Sequence, residues 1–312
     1  MKTRVTPADN LLIPNAKARG KGSRSYSLPA PLVPTTSPHS HWLEKTWKTH
    51  FLPTLYDDLY HSAEPFADFV VSTPNMNSKI QHLVDIVYPN VEHEVQLFGD
   101  PIHLLAYNRI QGRRGKIADM ALTLVSKHLQ TLDTLEEAHE WLSWGRRLNG
   151  PLYHLNPTPS YCTAKPGELG YIEPSGRLRS PFITTMVKRA LDDSKNSVTQ
   201  RRKFLPPLGL FGLVLAALER AVKITRADGT VSPKDKKEFS DLHSGEDVAD
   251  WIRSLQGISE PKWIEILASC STTHLEVPDP DEEAAQSNTR LERRQMFTSE
   301  SPQKQRIWQH PH

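Results

Sequence analysis

The chain has 312 residues, of which 37 % are hydrophobic and 24 % charged, enough apolar material for a sizeable core. Its 38 basic and 36 acidic residues leave a net charge of +2, so global charge makes no case for nucleic acid or an anionic membrane. Two cysteines, Cys162 and Cys270, exclude a disulfide scaffold and a four-cysteine zinc site.

Residues 1–40 carry Lys2, Arg4, Lys17, Arg19, Lys21 and Arg24 against a single acid, Asp9, amid Pro and Ser. Such a segment buries too little surface to offset its ordering entropy, and it reads as a disordered basic tail. No apolar leader run is present, so secretion is not expected. The cluster Lys17, Arg19, Lys21 and Arg24 suits phosphate contact or a nuclear address. Gly20-Lys-Gly-Ser23 lacks the first glycine of a phosphate loop, because Asn15 stands there.

From His41 onward the apolar period is helical. Trp42, Leu43, Trp47, Phe51, Leu55 and Leu59 make one stripe, interrupted by Pro53, which reads as two short helices or one kinked helix. Ile80, Leu83, Val84 and Val87 make a second, ended by Pro89. Asp100-Pro101 is a helix start, continued by apolar residues to about Leu129. Gly112 and Gly115 fall midway and mark a break or a close helix crossing. Thr134 and Glu137 have capping-box spacing before a helix carrying Trp141, Leu142 and Trp144, ended by Gly150-Pro151.

Residues 151–180 lose periodicity, with Leu152–Leu155 and Leu169–Ile172 as short strands or parts of an ordered loop. Helices resume at Pro181–Leu191 and Pro207–Thr225. The ten-residue apolar run Leu208–Ala217 is half the length of a membrane span and reads as a buried core helix. Asp228-Gly229 is a turn. Ile224 and Arg226 occupy positions where a calcium loop needs oxygen ligands, so no calcium is expected there. Ser244 is read as the cap of a helix with Val248, Trp251, Ile252 and Leu255, and Ser259 as the cap of the last, with Trp263, Ile264 and Ile266. Residues 278–312, opened by Asp279, Asp281, Glu282 and Glu283, read as a disordered polar tail. The fold expected is mainly α: a single multi-helix domain over 41–277, with an irregular loop or small strand insertion, between two disordered tails.

No nucleophile elbow and no zinc spacing occur among the fourteen histidines and two cysteines, so no cofactor or metal is expected. The polar feature with the clearest chemistry is Arg109-Ile-Gln-Gly-Arg-Arg-Gly-Lys116. On a continuous helix Arg109, Arg113 and Lys116 share one face beside Arg114, an arrangement that suits phosphate; a solvated face, partly paired through Lys116 and Asp119, is the plainer reading. Arg201-Arg-Lys203 extends this patch if the two segments are neighbours. The alternative is an enzyme with its site in the 151–180 loop, where His154, Tyr161, Cys162 and Glu173 cluster in sequence.

The ordered pattern also resembles a known family. It runs from Trp42 and Trp47 into Phe51–Leu55, then Ile80–Pro89, Asp100-Pro-Ile, Arg109-Ile and Arg113-Arg-Gly. It resumes with Leu215–Ala221, Phe239-Ser and Lys262–Leu267. Over about residues 41–270 this resembles a family of uncharacterised proteins expanded in mushroom-forming fungi, some associated with mobile elements. The resemblance rests on hydrophobic and turn positions, so it implies a shared fold and carries over no catalytic residue. The reading is a non-enzymatic helical interaction module, intracellular, nuclear or cytoplasmic. Its partners are an unidentified protein or nucleic acid rather than a membrane, and its oligomeric state is not readable from sequence.

Overall fold

A computed structural model describes residues 45–232 and 238–272. Backbone contacts divide the chain after His41, and all described residues belong to the second of the two units. The described residues form eight α-helices and a single two-stranded hairpin. Lys17, Arg19, Lys21 and Arg24, and both tails read from the sequence, lie outside the described residues.

The first apolar stripe forms a π-helical turn, Trp47–Phe51, that runs into helix α1, Leu52–His61. Pro53 therefore occupies the first turn of α1, where its missing N–H costs nothing, and it separates two helical geometries. Helix α2 (Pro74–Val87) is capped by Thr73, whose hydroxyl accepts from Met76 N. Helix α3 runs without a break from Pro101 to Leu129. The Asp100 carboxylate caps it, accepting from Ile102 N at 2.8 Å and His103 N at 3.2 Å. The two midway glycines mark neither a break nor a crossing: a methyl at Gly112 or Gly115 would meet nothing within 4 Å.

Helix α4 (Leu135–Gly145) has the cap read from its sequence. Thr134 accepts from Glu137 N at 3.1 Å, and the Glu137 carboxylate accepts from Asp133 N at 3.1 Å. The 151–180 segment is an ordered excursion. Its strands, β1 (His154–Asn156) and β2 (Ser175–Arg177), pair antiparallel. Leu178 takes a left-handed φ of 63°, which an L side chain adopts at a cost of about 1–2 kcal/mol. That turn buries its side chain and lets its N–H donate to Tyr153 O at 2.7 Å.

Helix α5 (Pro181–Asp192) is capped by Ser180, whose hydroxyl accepts from Ile183 N and donates to Leu152 O at 2.5 Å. Helix α6 (Leu208–Ile224) is the core helix read from the apolar run, buried over nearly its whole circumference. The Asp228-Gly229 turn follows, with Gly229 at φ 77° and Asp228 Oδ1 accepting from Thr230 N at 2.9 Å. Helix α7 spans Asp241–Leu255, one turn earlier than its sequence suggests. Ser240 is its N-cap residue, and Ser244 lies buried within the helix. Helix α8 spans Glu260–Thr272.

The core gathers on α6, against which α1, α3, α5 and α7 pack. Close approach is needed there. A methyl at Gly209 would stand 2.6 Å from the carbonyl oxygens of Leu59 and Ser62, and one at Gly212 would stand 2.6 Å from Ile252 Cγ1. No helix among the described residues is long and apolar enough to cross a membrane.

Candidate nucleic-acid interface

The Arg109–Lys116 run lies on one continuous helix, but its four cations part company. Arg109 and Lys116 are exposed, whereas Arg113 is 9 % and Arg114 1 % exposed. Arg113 reaches onto α1. Its Nε donates to Tyr60 Oη at 2.5 Å, its Nη2 pairs with the Asp193 carboxylate, and its guanidinium lies 4.7 Å from the centre of the Tyr56 ring. Burial raises the Tyr60 hydroxyl well above its ordinary pKa, which keeps it neutral beside the arginine.

Arg114, about 100° further round α3, points into the core. Its Nη2 donates to Pro65 O, its plane lies over Phe66 at 4.6 Å, and its Nε has no partner. Burial lowers it to about 10, against the smaller pull of Tyr107 and Asp241, neither of which it pairs with directly. Of the three cations expected on one face, Arg109 and Lys116 are exposed and Arg113 is tied into the structure, and Arg114 beside them is not at the surface. Lys116 forms no ion pair with Asp119.

Residues 197–201 are clamped along α1. Val198 N donates to Thr54 Oγ1 at 3.1 Å, and Ser197 Oγ donates to Asp57 Oδ2 at 3.1 Å. Arg201 pairs with that carboxylate, and His61 Nδ1 lies 3.2 Å from its other oxygen. Burial pushes the Asp57 carboxyl up, but the hydrogen bonds from His61 and Arg201 outweigh it and hold the group below its usual range.

The two basic segments, some ninety residues apart in sequence, therefore seat on successive residues of α1: Arg113 on Tyr56 and Arg201 on Asp57. Three nearby acids are taken, Asp57 by Arg201, Asp193 by Arg113 and Asp192 by Lys195. Arg109, Lys116, Arg202 and Lys203 are exposed and make no ion pair among the described residues. Sequence reasoning named these cations but missed Tyr56, Asp57 and Asp193, which bring them together. The available signal was the i,i+4 pair Asp57–His61 within an apolar stripe.

The residues of the alternative site do not converge. Tyr161 and Glu173 are exposed, and the Cys162 sulfur faces the carbonyls of Gly170 at 3.7 Å and Ala164 at 4.0 Å. His154 is pushed below its ordinary pKa by burial and by Arg177, against a backbone hydrogen bond at Leu148. No hydrogen bond or ion pair joins any two of these four. Among the described residues no group of three or more His, Cys, Asp or Glu is placed to hold a metal ion. No family model, no curated protein and no solved structure matches the chain.

Proposed function

We propose that the chain is a non-enzymatic helical interaction module that binds nucleic acid through the surface around α1, with the N-terminal cations as a second, independent contact and nuclear address. The observation that carries this reading is the seating of the 109–116 and 201–203 segments on neighbouring residues of α1, with Asp57 and Asp193 already paired. That leaves four exposed cations able to meet phosphates without breaking an internal contact. An arginine stacked on Tyr56 at its centre gives the surface a rigid base.

The test is binding of a labelled oligonucleotide to the full chain at about 50 and about 200 mM salt. Four phosphate contacts give a log–log slope of about −3.6, which is a loss of about 10² in affinity over that fourfold change. Charge reversal at Arg109→Glu, Arg202→Glu and Lys203→Glu is expected to flatten most of that slope. Neutralising Lys17, Arg19, Lys21 and Arg24 to Gln separates the N-terminal contribution. If that second variant alone abolishes binding and the first leaves it untouched, the α1 surface is not the interface.

A further inference from the structure

The excursion between α4 and α5 carries features that nucleic-acid binding does not use. Its backbone is held in place: Trp144 Nε1 donates to Thr158 O at 2.7 Å, and Thr158 Oγ1 donates to Ile172 O at 2.8 Å. On this fixed frame Leu148 is 71 % exposed, Tyr161 77 %, and Leu169 wholly so. Exposed apolar side chains such as these gain free energy when a partner surface covers them. The same excursion exposes Arg146, Arg147, Lys165 and Arg177 against Glu168 and Glu173, and the Glu168 carboxylate is already engaged with Lys165 N.

The outer side of α7 has the complementary character. Leu242 is 85 % exposed, and Glu246, Asp247 and Asp250 are exposed with it, Asp250 being paired to the exposed Arg253 of the same helix, which leaves the face net acidic. Partial desolvation of its carboxyl, with a smaller part from Glu219, Asp250 and Glu246, raises the Asp247 pKa against the pull of Lys223. The two elements pack on each other. The Tyr153 ring lies 5.2 Å from that of Trp251, Trp251 Nε1 donates to Glu219 at 2.9 Å, and Asp247 stands one turn before Trp251.

Patches of opposite sign on two elements that pack together, each with exposed apolar groups, are complementary between two copies of the chain. A twofold axis lays each patch of one copy on the other patch of its mate, and this arrangement is the commonest in homo-oligomers. We propose that the chain forms a twofold dimer in which the 146–179 excursion of each copy covers the outer face of α7 of the other.

The experiment is sedimentation equilibrium of the full chain, without nucleic acid, over about 1–100 μM, the range in which weak dimers titrate. A dimer is expected, with Kd rising by about tenfold or more between about 50 and about 500 mM salt. Lys165→Glu with Arg177→Glu in one chain, and Glu246→Lys with Asp250→Lys in another, each leave a monomer, with unchanged far-UV circular dichroism. Mixed together the two chains pair, because both contacts of the twofold are then of opposite sign. Leu169→Ser weakens the wild-type dimer without altering the fold. A wild-type chain that stays monomeric throughout overturns the proposal. So does a dimer indifferent to both charge variants, or a mixture that fails to pair.

Discussion

Helix α6 buries Leu, Val, Ala and Phe side chains around nearly its whole circumference, whereas α3, which packs along it, buries His103, Arg113 and Arg114 among its apolar residues and half-buries His128. Their glycines differ in the same sense. Gly209 and Gly212 of α6 face backbone and side chains of α1 and α7 at distances no Cβ tolerates, while Gly112 and Gly115 of α3 face open space. The two helices teach that a glycine or an arginine in a helical run has no fixed meaning: what the neighbouring element places opposite it decides. On α6 the small residues let two helices approach; on α3 they only cost backbone entropy.

The largest effect expected from breaking this contrast is on α6. Gly209→Ala with Gly212→Ala forces α1 and α7 outward and should lower the unfolding free energy by about 4 kcal/mol, measured by urea denaturation. An unchanged midpoint means that the helices separate freely and the crossing is not tight.

Next comes Arg114 on α3. Truncation by Arg114→Ala removes its packing on Phe66 and should cost about 3 kcal/mol. Arg114→Met, which keeps the volume and removes a buried charge without a carboxylate partner, should cost under about 1 kcal/mol or stabilise. Equal losses in both variants mean that the guanidinium's bond to Pro65, rather than its bulk, holds the site.

His128 of α3 sharpens the comparison through pH. Burial, with Trp141 at 4.3 Å and Phe182 at 5.7 Å, pushes the ring down to about 4. The unfolded chain takes up its proton as pH falls below about 6.5, and the folded chain only near 4. Stability from the neutral ring is therefore complete above about 6.5 and lost on acidification towards 4, a fall of about 3 kcal/mol before screening. His128→Gln should flatten the pH dependence of the urea midpoint in that window, whatever it does to the midpoint itself. An unaltered slope assigns the window to other groups.

The smallest effects are gains. Gly112→Ala and Gly115→Ala each add a methyl in open space within a helix and should stabilise by about 0.5–1 kcal/mol, read as a rise in Tm. A loss at either position reveals a contact on that face, such as a partner, that the isolated chain does not show.

The mainly helical class was legible throughout. Asp100-Pro101, and Thr134 with Glu137, each cap a helix where their chemistry says they should. The α7 start was misplaced because Ser240 and Ser244 are equivalent by residue type, and only the fold buries one of them. Arg113 and Arg114 read as surface because nothing local distinguishes a cation that meets water from one that meets Tyr60 or Phe66. The excursion was legible as irregular. Its order comes from bonds such as Trp144 to Thr158 and Ser180 to Leu152, which join residues far apart in sequence.

What the chain determined by itself is the set of elements and their inward faces, because caps, apolar period and proline positions act over one or two helical turns. What only the tertiary structure decided is which charges stay outside and which of them become neighbours. That turns on burial and on partners such as Asp57, Tyr60 and Asp193, brought from distant parts of the chain, and desolvation and pairing are properties of the packed interior rather than of any local sequence.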